Sequence, residues 1–164
     1  MINKIQITKF SNLSELKKLT TRTKQLISYL IFFENTSGNF KINHKNTQVK
    51  KFSVVNCPIL STLIYDKIDN NSNGWCVAFD KEARDVLLIH SFQLFCPFTG
   101  IVNTNIEKNI FNKLKFYLKE IQNEIISKNL SSSEIIYLQT AIIVKYLSRN
   151  IRKFLHIIKS YKQK

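Results

Sequence analysis

The stretch "LISYLIFF", Leu26 to Phe33, is the longest apolar run in the chain, and the order of elements turns on how it is read. It is far short of the ~18 apolar residues that suggest a membrane span, so it belongs to a folded core. What precedes it has a helical start. Asn12 is followed three positions later by Glu15, the spacing at which a side-chain oxygen accepts from a free backbone N–H and a carboxylate reaches back. From there Leu16, Leu19, Leu26, Leu30 and Phe33 are available for packing. The expectation is one helix from Leu13 to about Phe33, closed by "ENTSGNF".

The same start signal recurs at Thr104 with Glu107 and at Ser131 with Glu134, each before a periodic apolar run. The first of these predicts a helix over about Asn105 to Lys128, with Ile106, Ile110, Leu114, Tyr117, Ile121 and Ile125 in a stripe and Lys108, Lys115 and Lys119 away from it. The other predicts a helix running to about Lys159. Between the first and second helices the pattern changes. "VKKFSVVNC", "LSTLIYDK", "GWCVAFD" and "VLLIHSFQLF" are short, rich in β-branched and aromatic residues, and separated by turn formers. "DNNSNG" and "DKEARD" fit hairpin connections. The fold class expected is α+β: an N-terminal helix, about four mostly antiparallel strands, and two C-terminal helices packed on the sheet. With 164 residues and no linker or repeat, residues 1–164 form a single domain.

The chain carries a formal charge of +14, and 21 of its 25 basic residues are lysine. Richness in Lys, Asn, Ile and Phe looks like the codon usage of an AT-rich genome. That accounts for lysine over arginine, not for the scarcity of acids, so a polyanionic partner is expected. The cysteines Cys57, Cys76 and Cys96 are odd in number, far apart and set among apolar residues, as buried thiols are in a reducing intracellular compartment. The opening "MINKIQITKF" lacks the apolar run of a signal peptide, and one arginine by residue 25 is unlike a transit peptide.

Catalytic patterns are thin. Glycines stand only at 38, 74 and 100, which excludes the usual phosphate loops. Asp69, Asn71, Asn73, Gly74 and Asp80 imitate a calcium loop, but the last ligand is not the bidentate Glu and the flanks are strand-like, so an Asn-rich turn is the reading. His90 sits in an apolar strand pattern, His44 in a polar loop and His156 in the basic helix, none beside a nucleophile. Most carboxylates fall at helix starts or turns. No cofactor, metal or catalytic residue is assigned, and the expectation is a non-enzymatic protein.

The candidate surface lies in "KYLSRNIRKFLHIIKSYK", Lys145 to Lys162, which holds six Lys or Arg and no acid. At about 100° per residue, Lys145, Arg149, Arg152, His156 and Lys159 fall in a band roughly 80° wide, with Lys153 at its margin. Ile143, Leu147, Phe154, Ile158 and Tyr161 lie opposite. A helix dipole favours cations only in the last turn, and like charges three or four apart repel by a few tenths of a kcal/mol. A partner that neutralises the row relieves this. The functional expectation is polyanion binding, RNA first, through Lys145, Arg149, Arg152, Lys153 and Lys159, helped by the second helix. A groove on an acidic protein and attachment to an anionic membrane surface are the alternative partners. The order of elements around "LLIHSFQLFCPFTG" is also loosely similar to that of small dimeric secretion chaperones, in order only. That likeness implies a protein-binding adaptor, with the exposed face of the sheet as the binding surface and a homodimer as the assembly. Those proteins tend to be acidic, whereas this chain is basic.

Overall fold

The computed structural model describes residues 5–21, 27–58, 61–88, 103–130 and 132–162, with side chains described at all of these except 88, 103, 104 and 151–162. It is α+β, with two antiparallel sheets and four helices among those residues. In chain order the elements are β1 (Ile5–Phe10), α1 (Leu13–Thr20), β2 (Ile27–Asn35), β3 (Gly38–Ile42), β4 (Lys45–Val49) and β5 (Ser53–Cys57). Then come β6 (Leu63–Ile68), β7 (Asn73–Asp80), α2 (Lys81–Leu88), β8 (Asn103–Asn105), α3 (Lys108–Ser127) and α4 (Ser132–Lys162). The larger sheet has five strands in the order β1-β7-β2-β5-β8, and the smaller has three in the order β4-β3-β6.

The main correction concerns "LISYLIFF". The helix expected from Leu13 to Phe33 ends at Thr20, and Ile27–Asn35 is instead the central strand of the larger sheet. The start was read correctly: Asn12 Oδ1 accepts from the Glu15 N–H at 3.0 Å, and Glu15 Oε2 accepts from the Ser11 N–H at 2.7 Å. What overrides the helix is burial on two sides. Residues Ser28 to Phe33 are all buried, and their side chains alternate between separate cores. Leu30 and Phe32 face one core; Tyr29, Ile31 and Phe33 face the other. A strand places successive side chains on opposite faces, so a continuous apolar run suits a sheet covered on both sides.

Neighbouring strands follow the same parity. β2 pairs with β7 through Leu30↔Val77 and Phe32↔Trp75, and with β5 through Phe32↔Val54. β1 adds Ile5↔Phe79 and Ile7↔Val77. On this face lie α2, α3 and α4, contributing Ala83 and Leu87, then Phe111, Leu114, Leu118 and Ile121, then Ile136, Ile143, Val144 and Leu147. The opposite face is covered by the smaller sheet, with Phe40, Ile42, Val49 and Ile68, and by α1, with Leu13 and Leu16. The N-terminal helix is therefore not on the same side as the C-terminal pair. Among the described residues there are eight strands where four were expected: β5, β6 and β7 lie in three of the expected segments, and β1, β2, β3, β4 and β8 fall where no strand was read.

Other boundaries shift for local reasons. "DKEARD" is not a hairpin but the start of α2, where Asp80 Oδ1 accepts from the Ala83 N–H at 2.8 Å. Val86 to Leu88, expected in a strand, close that helix, and the rest of "VLLIHSFQLF" lies outside the described residues. "DNNSNG" is a turn closed by Asp69 Oδ1 on the Asn71 N–H at 2.9 Å, but it connects the smaller sheet to the larger rather than two paired strands. Thr104 lies on β8, not at a helix cap, and α3 starts at Lys108 after Glu107, whose side chain makes no capping bond. Ser131 falls outside the described residues.

Two corners join the layers. Phe52, between β4 and β5, has φ +63°, a region costly for a bulky side chain. Its N–H donates to Phe33 O at 2.9 Å, its carbonyl accepts from the Ile106 N–H at 3.0 Å, and its ring packs 5.1 Å from that of Phe111. At the other corner the Thr36 and Ser72 hydroxyls share a buried hydrogen bond of 2.6 Å. On β7, Gly74 is fitted to its place: a Cβ there would lie 1.9 Å from the Phe32 carbonyl oxygen.

Two substitutions test this arrangement by denaturant unfolding. Phe32→Ala empties a fully buried site and should cost roughly 3–5 kcal/mol, whereas the exposed Phe116→Ala should cost below about 1 kcal/mol. Gly74→Ala should cost about 3 kcal/mol or more, because the obstructing atom is backbone. Near-neutral behaviour of either core variant would contradict a central, doubly covered strand.

Candidate functional site

α4 is one unbroken helix of 31 residues. It leaves α3 through a tight connection in which Lys128 adopts φ +53° and the Ser132 N–H donates to Asn129 O at 3.0 Å. The Ser132 hydroxyl also donates to Glu124 Oε1 of α3 at 3.0 Å, which fixes the start of α4 against its neighbour. Ile136, Thr140, Ile143, Val144, Leu147 and Ser148 are buried, and the Thr140 hydroxyl donates to Ile136 O at 2.6 Å. This is the face that rests on the body of the protein.

Lys145 and Arg149 are exposed on the other face, as the wheel expected. The Arg149 guanidinium stands 6.0 Å from the centre of the Tyr146 ring, a cation–π contact that lays the side chain along the helix. Arg152, Lys153 and Lys159 belong to the helical backbone, but their side chains lie outside those described, as does that of His156. Of the α3 lysines, Lys108, Lys113 and Lys119 are exposed, while Lys115 Nζ is bound to Glu34 Oε1 at the end of β2. Lys115 is thus a tie between helix layer and sheet rather than a free cation.

The wheel missed what comes before Lys145. Leu138, Ile142 and Ile135 are 67%, 38% and 37% exposed, on the outer face that also carries the cations. They precede Lys145 at spacings of three and four, so extending the same wheel backwards would have found them. Leu138, Ala141, Ile142, Lys145, Tyr146 and Arg149 line an open concavity of about 500 Å³. The outer face is therefore apolar around Leu138 and Ile142 and basic at Lys145 and Arg149.

Elsewhere the chemistry is occupied. Asp69 and Asp80, the charged members of the calcium-like pattern, accept backbone N–H groups as described. Among the described residues no group of three or more His, Cys, Asp or Glu is placed to hold a metal ion. Cys57 and Cys76 are free, buried thiols. Burial pushes the Cys76 thiol up to about 12 and raises that of Cys57 as well, with Cys76 adding to the latter. Neither forms a nucleophilic thiolate near neutral pH. His44 occupies the β3–β4 turn at φ +66°, and His90 and Cys96 lie outside the described residues. No described helix is long and apolar enough to cross a membrane.

No protein-family model matches the chain, and no curated protein sequence matches it significantly.

The thiols give a direct check. With peptide mapping after maleimide treatment at pH 8, Cys57 and Cys76 should remain unmodified in the folded chain and react fully in denaturant. Rapid native labelling of either would mean that its core is open.

Proposed function

We propose that this is a non-enzymatic polyanion-binding protein that docks on the phosphate backbone of RNA through the outer face of α4. One observation carries the reading: Lys145 and Arg149 stand exposed on a long helix whose sequence holds no acid after Glu134. Positions 152, 153 and 159 continue the row by sequence. A line of cations suits a phosphate backbone, because each neutralised phosphate releases a counterion. Tyr146 is half-buried under Arg149 and not presented for base stacking, which favours affinity carried by charge with little sequence preference. The buried thiols and the absence of a membrane-crossing helix among the described residues agree with action in a reducing compartment inside the cell.

The alternatives have less behind them. An adaptor would have to use the outer face of the smaller sheet, around Asn39, Gln48 and Ile64, because both faces of the larger sheet are covered. The apolar side of α4 with Ile136, Ile143, Val144 and Leu147 is committed to the core, so attachment to an anionic membrane would rest on Ile135, Leu138 and Ile142 instead.

Fluorescence anisotropy with a generic single-stranded RNA at several salt concentrations tests the proposal. Five phosphate contacts predict a slope of log K against log salt of about −3.5, or roughly a hundredfold loss between 50 and 200 mM salt. Changing Lys145, Arg149, Arg152, Lys153 and Lys159 together to Gln should flatten the slope and weaken binding accordingly. A flat salt response in the parent, or unchanged binding by the variant, would refute it.

A further inference from the structure

We infer that the apolar first half of the outer face of α4 is a dimerisation surface, on which α4 of a second copy lies antiparallel. The inference starts from other residues than the RNA proposal does, a knob and a hole on one protein, but the pair would compete with RNA for Lys145 and Arg149. Only positions 152, 153 and 159 would be left to phosphate. Leu130, in the α3–α4 connection, is fully exposed, and Leu138, a little over two turns along the same outer face as the cations, is 67% exposed. The concavity of about 500 Å³ opens beside and beyond Leu138, between Ala141 and Arg149. A surface holding both a protruding leucine and a cavity farther along the same helix is self-complementary when a two-fold axis reverses the second copy.

Charge selects the direction. In a parallel pair, Lys145 and Arg149 would face their own counterparts, a repulsive alignment. An antiparallel pair with its axis near residue 140 sets Leu138 against Ile142 of the second copy and Ile135 beside that copy's Lys145. Leu130 then approaches the cavity around Tyr146 and Arg149. Glu134, the sole acid of α4, arrives between Lys145 and Arg149 of the second copy. The one negative group of the helix thus meets the beginning of the cation row. Residues 132 to 148 overlap over about 25 Å, and the interface closes on itself at two copies. Positions 152, 153 and 159 lie beyond the overlap, at the two outer ends of the pair.

The test is sedimentation velocity on the full chain without nucleic acid, over a range of concentrations, beside the anisotropy assay. A concentration-dependent dimer is expected. Leu138→Glu, at an exposed position, should weaken it by about tenfold or more. Glu134→Lys should also weaken it, and combining Glu134→Lys with Lys145→Glu should restore much of the loss. Arg152→Gln with Lys159→Gln should leave the dimer unchanged while lowering RNA affinity, so that the two proposals fail separately. A chain that stays monomeric throughout, a dimer indifferent to Leu138→Glu, or a charge swap that rescues nothing would overturn the antiparallel pair.

Discussion

A strand with cores on both of its faces has no route to water for its peptide groups, and β2 is such a strand. Every N–H and C=O from Ser28 to Phe33 must therefore find a partner within the sheet. β7 on one edge and β5 on the other supply them, and this requirement places β2 at the centre. The remaining layers follow. Leu30 and Phe32 demand a cover, which α2, α3 and α4 provide; Ile31 and Phe33 demand another, which the smaller sheet and α1 provide. Fully burying a large apolar side chain contributes about 1.5–3 kcal/mol, so stripping either cover from β2 would be costly.

The same two-sidedness hid the strand from a periodicity reading. Sparse apolar patterns distinguish a spacing of two from one of three and four, but a solid run contains both. Leu26, Leu30 and Phe33 satisfy a helix as well as Leu30 and Phe32 satisfy one face of a sheet. What was legible was local: Asn12 and Glu15 form the expected start, and the turn at Asp69 and the strands at Ser53–Cys57, Leu63–Ile68 and Asn73–Asp80 lie where turn formers and β-branched residues put them. Cap signals failed where distant contacts competed. Thr104 has the right spacing to Glu107, yet pairing of β8 with β5 claims its backbone.

The candidate site was legible to a different degree. The buried and exposed sides of α4 at Ile143, Lys145, Leu147 and Arg149 follow from helical geometry alone, because a long helix with one wet face has little freedom to rotate. The exposure of Leu138 and Ile142 went unread because the wheel was drawn only around the basic stretch that begins at Lys145. The core contact of α4 needs only a narrow stripe, and α3 already fills one flank. Angle around the axis, not hydrophobicity, decides which residues are left outside.

Phe52 gives the two sheets a common fate. Its backbone is hydrogen-bonded to β2 and to Ile106, which links β8 to α3, while its ring rests on α3 itself. Since the chain enters this corner from β4 and leaves it into β5, the smaller sheet cannot peel away as a flap without prising the helical layer from its seat. Opening on one side of the molecule should therefore be felt on the other, and the three layers should melt as one cooperative body.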